Sequence, residues 1–142
     1  MNGSYKVTLL LLAAVLLAGM ALFAPELVRA FQQRGEVAAT FASYSDALVR
    51  EDWHKAYAFS GPEFREAAPF ENFVGRLTDL EKSYGRLRAV EQKSLYVRFF
   101  RSPPAGVTII GAEHHYERGV IQVRYEFHYH GGRWLLYGFV RE

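Results

Sequence analysis

The sequence predicts an α+β fold: helices first, then a four-stranded antiparallel meander, all behind an apolar N-terminal segment. Three observations carry this prediction. An uncharged run, VTLLLLAAVLLAGMALFA, fills residues 7–24. Apolar residues then recur at spacings of three and four as far as Tyr84. From about Arg86 the period shortens to two, and the last alternating stretch, Gly119 to Val140, folds back on itself at Gly131-Gly132.

The apolar run is preceded by Lys6 and, at 1.5 Å per residue, would span roughly 27 Å, close to the thickness of a bilayer core. Two readings fit it. As an uncleaved signal-anchor it is long enough to cross a membrane and meets no proline before Pro25. As a signal peptide it has a positive start and a small-x-small triplet, Gly19-Met20-Ala21, after which cleavage would leave a secreted or periplasmic domain. The anchor reading is preferred on span length. Residues 1–25 are then the membrane segment, 26–35 a polar stalk and 36–142 the folded domain. Lys6 on one side and Arg29 and Arg34, offset by Glu26, on the other nearly balance. The domain is expected outside the cytoplasm, held at the inner membrane by one pass.

The domain begins with an amphipathic helix carrying Val37, Phe41, Tyr44 and Leu48 on one face, ended by Arg50-Glu51. Asp52 is placed to cap a second short helix, Trp53 to Phe59, which Ser60-Gly61-Pro62 breaks. A turn over Glu63–Glu66 follows. Pro69 opens a third helix with the apolar stripe Phe70, Phe73, Val74, Leu77, Leu80 and Tyr84, closed by Gly85.

The first strand is expected over Arg86–Arg101, bent or bulged near Gln92–Ser94. Ser102 to Gly106 is a loop, because Pro103 and Pro104 cannot sit inside a ladder. Val107–Tyr116 forms the second strand, with Gly111 hinting at a bulge, and Glu117-Arg118-Gly119 turns into the third. Ile121, Val123, Tyr125, Phe127 and Tyr129 share one face of that strand. A two-residue hairpin at Gly131-Gly132 then sets Tyr129 opposite Trp134, Phe127 opposite Leu136 and Tyr125 opposite Gly138.

Composition narrows the function classes. At 142 residues, half of them hydrophobic and 15% aromatic, the chain holds one domain with an aromatic-rich core. Net charge is +2 and the basic residues are scattered singly, so no nucleic-acid footprint is expected. The absence of cysteine excludes disulfides, thiolate metal sites, cysteine nucleophiles and a lipid-bearing cysteine.

Three stretches resemble the nuclear-transport-factor-2-like (cystatin-like, cone-shaped) superfamily over roughly Glu36 to Arg141. They are the segment from Ala47 to Arg65 containing EDWHKAYAFSGPEFR, the helix end YGRLRAVE (Tyr84 to Glu91), and the closing GGRWLLYGF (Gly131 to Phe139). The last is similar to the ending of small exported bacterial members of that superfamily. The resemblance implies helices packed on a curved four-stranded sheet. It does not imply one activity, since the superfamily includes isomerases, hydrolases, assembly factors and transport adaptors. Without a lipid-bearing cysteine, the membrane helix would have to serve as the anchor.

In the enzymes of this superfamily an Asp or Glu base, with Tyr or Asp partners, lies between helices and sheet, desolvated and aimed at substrate. Here the lining expected from Tyr44, Tyr57, Tyr125, Tyr129 and Trp134 is aromatic, with no Asp, Glu or His among the inward-facing positions. No catalytic residue or cofactor is expected. A small apolar ligand or an isomerase- or hydrolase-like reaction is the alternative. The five histidines, His54, His114, His115, His128 and His130, have generic spacing and read as solvated positions rather than a metal site. The outer sheet face is the expected contact surface, with Leu135, Tyr137 and Phe139 standing beside Arg124 and Glu126. The resemblance implies that this face serves a homodimer or an envelope protein complex. A register slip at a bulge would instead exchange inner for outer residues.

Overall fold

The computed structural model describes residues 2–99 and 106–142. It divides into two units, residues Met1–Gly35 and Glu36–Glu142. Helix α1, Asn2–Val49, contributes to both. The stalk, expected to continue helically from the apolar run, does so, and the first amphipathic helix, expected as a following segment, belongs to the same helix. Pro25 lies inside it, withholding one backbone N–H without ending the helix. In the first unit the side chains of Leu10, Val15, Leu22 and Phe31 are well exposed. Among the described residues this is the one helix long and apolar enough to span a membrane.

In the second unit, residues 36–49 of α1 bury Val37, Phe41, Tyr44 and Leu48, the stripe read from the sequence. Glu51, at φ +59°, turns the chain into α2, Trp53–Ala58, where the Asp52 carboxylate accepts the Lys55 backbone N–H at 3.1 Å. The expected turn is a full helix, α3, Pro62–Ala67, with its proline at the first helical position. Pro69 caps α4, Phe70–Tyr84, rather than opening it. Gly85 ends α4 at φ +80°, and a β-carbon there would lie 2.8 Å from that of Glu117.

Strands β1 (Leu87–Phe99), β2 (Gly106–Tyr116), β3 (Gly119–His130) and β4 (Arg133–Arg141) form one antiparallel sheet in sequence order. The expected end of the first strand at Arg101 and most of the Ser102–Gly106 loop lie outside the described residues. Gly131 and Gly132, at φ +57° and +84°, make the two-residue turn between β3 and β4. The irregularity near Gln92–Ser94 is present and lies on β1, where the register shifts between Gln92 and Ser94. Gly111 faces it from β2, and a β-carbon there would meet Ser94 Oγ at 2.6 Å. The far edge of β4 is partly occupied as well. Leu136 donates to the Phe59 carbonyl and accepts from the Gly61 N–H, both at 2.8 Å.

The helices pack on one face of the sheet. The core there is Phe41, Tyr44 and Leu48 of α1, Phe73 and Leu77 of α4, and Ile110, Tyr125, Phe127 and Leu136 of the strands.

Candidate functional site

The space between helices and sheet, which the alternative reading would open as a pocket, is filled by rings. Tyr44, Phe73, Tyr125 and Phe127 are almost wholly inaccessible. Phe41 lies 5.2 Å from Tyr125, and Tyr44 packs edge-on to Tyr125 at 5.6 Å, the tilted arrangements that aromatic quadrupoles favour. Tyr57 is half-buried and spends its hydroxyl on the Ala68 carbonyl at 3.0 Å, joining α2 to the end of α3. Tyr129 and Trp134 sit opposite each other with ring centres 5.3 Å apart, as the hairpin register predicts. Among the described residues, the main clefts of the folded unit include Trp134 but none of Tyr44, Tyr57, Tyr125 and Tyr129.

Two positions in this interior differ from expectation. The register shifts between Glu126 and Phe127, so Tyr125 pairs with Phe139 and Glu126 with Gly138. The extra residue on β4 is Tyr137, and beyond it the faces exchange. Phe139, expected outside, packs inward against Phe64 at 5.9 Å and Tyr125 at 5.8 Å. His114, expected on the surface, is buried on the inner face, where Nε2 lies 2.6 Å from the Tyr125 hydroxyl. Its parity with Ile110, Ala112 and Tyr116 along β2 was legible in the sequence, and it breaks the expectation that the inner face lacks histidine. Burial pushes the His114 imidazole down to about 4, with a smaller push from neighbouring His115. The Tyr44 and Tyr125 hydroxyls are raised by burial, and that of Tyr116 is pushed up to about 12 by burial and by nearby Glu81.

Among the described residues of the second unit, no helix crosses the outer sheet face. Tyr96 of β1 pairs with Ile109 of β2, and Ile109 with Glu126 of β3. Tyr96 is 60% exposed and Tyr137 42% exposed. The Tyr137 ring stacks on His128 at 4.0 Å and 10°, and His128 Nε2 meets the Glu126 carboxylate at 2.6 Å. Arg124 is exposed and paired with Glu142. Leu135, expected to stand free on this face, is 8% exposed. The Gly61–Glu63 segment folds over the β4 edge beside it, leaving a cleft of about 200 Å³ between that segment and His128, His130 and Tyr137. The meander order was expected, but Tyr96 and Ile109 were missed because the pairing that sets them side by side depends on strand register, which shifts on β1 between Gln92 and Ser94.

At the opposite end of the same face, Glu91, Glu113 and His115 hold ligand atoms close enough together to grip a cation. Lys93 already lies between them, with its ammonium 2.9 Å from Glu91 and 3.2 Å from Glu113. That hydrogen bond and charge lower the Glu91 carboxyl and raise Lys93.

Compared with known proteins, the chain matches no family model and no curated protein.

Proposed function

We propose that this chain is a membrane-anchored binding module of the nuclear-transport-factor-2-like type, non-catalytic, acting through the outer face of its sheet. The N-terminal helix holds it at the inner membrane, with the folded unit outside the cytoplasm. One observation supports the reading: the helices fill the inner face with aromatic rings, while Tyr96, Ile109 and Tyr137 are left on a face that, among the described residues of the folded unit, no helix crosses. Removing such side chains from water is the main drive for protein association, and tyrosine is enriched at contact surfaces. The partner is a second copy or another protein of the envelope.

Cross-linking tests it. The chain has no native cysteine, so a single cysteine at Tyr96 reports only on that position. A disulfide-linked or reagent-bridged species from membranes is expected, and Ile109→Arg should abolish it while leaving the circular dichroism spectrum unchanged. A Tyr96 cysteine that captures nothing, in a folded protein, would sink the reading.

A further inference from the structure

The buried His114 plays no part in the outer-face reading, and its surroundings point to a separate property. Its Nε2 is bonded to the Tyr125 hydroxyl, while its Nδ1 is buried without a partner. These side chains and Tyr44 lie where residues 36–49 of α1 meet the sheet. Tyr44 packs on Tyr125, and the His114 and Tyr125 rings are near-parallel at 5.8 Å.

On β2, Tyr116 shares the inner face, whereas Glu113 and His115 point to the other side. From β3 comes Tyr125 and from α1 Tyr44. From α4, Glu81 acts on Tyr116, and Tyr84 packs against that same ring at 5.9 Å. From β1 the residue opposite His114 is Val90, and from β4 Phe139 packs on Tyr125 at 5.8 Å. Among the described residues no carboxylate forms an ion pair with His114, and its one charged influence is repulsion from His115.

We infer that the His114–Tyr125–Tyr44 cluster is an acid-sensitive latch, in which protonation of His114 releases the helical layer from the inner face of the sheet. A neutral imidazole fits this interior. An imidazolium would be a cation in an aromatic core with no anion to pair with, and the protein avoids that cost by opening. The sign follows from linkage. The unfolded chain takes up a proton at His114 near 6.5, the folded chain only near 4. Stability is therefore complete above about 6.5 and falls as pH drops through that window, by roughly a hundredfold in the folding equilibrium constant. For a domain outside the cytoplasm, such pH values are set by the surroundings rather than by the cell.

The test uses the full chain in detergent or nanodiscs. Unfolding, followed by near-ultraviolet circular dichroism and the fluorescence of Trp53 and Trp134, is measured from pH 7.5 to 4 for the native chain and for His114→Gln, whose amide can still bond Tyr125 without titrating. The native chain should lose stability across the window and the variant clearly less. Amide exchange should show residues 37–48 and the β2–β3 pair losing protection together in the native chain. Equal losses in both proteins would overturn the inference. Should His114→Gln fail to fold, ring-nitrogen NMR of the native chain decides instead: His114 staying neutral down to about pH 4–5 supports the latch, and titration of the folded protein near 6.5 overturns it.

Discussion

Tyr125 holds the interior together by both its ring and its hydroxyl. The ring meets Phe41, Tyr44, Phe127 and Phe139, and the hydroxyl meets His114. Tyr125→Phe keeps the ring and strands His114 without a partner at either nitrogen. A buried group left unpaired costs about 1–3 kcal/mol, so denaturant unfolding should show a loss in that range. A loss below about 0.5 kcal/mol would mean that the bond contributes little. The inward placement of Tyr44 and Tyr125 could be read from periodicity alone. The Tyr125–His114 bond could not, because it joins neighbouring strands whose register depends on the Gly119 turn.

The bulge at Tyr137 does most to decide which side chains face outward. It turns β4 so that Phe139 joins the core while Tyr137 stacks on His128 outside. Two neighbouring aromatics should therefore answer differently to truncation. Phe139→Ala removes ring contacts with Phe64, Phe73 and Tyr125 and should cost about 3 kcal/mol in unfolding experiments, since phenylalanine-to-alanine changes in cores run about 3–5 and this ring is only partly enclosed. Tyr137→Ala should change stability by well under 1 kcal/mol and weaken association, read by cross-linking yield. The reverse pattern would place the register shift elsewhere. The hairpin itself was legible from Gly131-Gly132, because two positive-φ positions in a row favour glycine strongly. The bulge had no such marker, since Tyr137 sits in it without a positive φ.

Across the whole molecule, the question is what an apolar N-terminal helix does for a small aromatic-cored domain. If it anchors the chain, the protein should stay in the membrane fraction through alkaline carbonate extraction. Removing residues 7–24 should release it. Arg133 lies at the exposed hairpin, so a cysteine there should react with a membrane-impermeant maleimide in intact spheroplasts. Labelling only after lysis would put the folded unit on the cytoplasmic side and overturn the orientation proposed above.

What the sequence determined by itself were the local features. They include the apolar span, the helical stripe of Val37, Phe41, Tyr44 and Leu48, the cap at Asp52, the alternation along β3 and the glycine turn after it. Each depends on residues a few positions apart, whose side-chain directions the 3.6- and 2-residue periods dictate. Tertiary structure decided what depends on strands meeting: the inward turn of Phe139, the burial of His114 against Tyr125, the covering of Leu135 by Gly61–Glu63, and the approach of Tyr96 and Ile109 to Glu126. A one-residue shift in pairing exchanges the faces of a strand, so those assignments rest on contacts between residues distant in sequence, which periodicity does not encode.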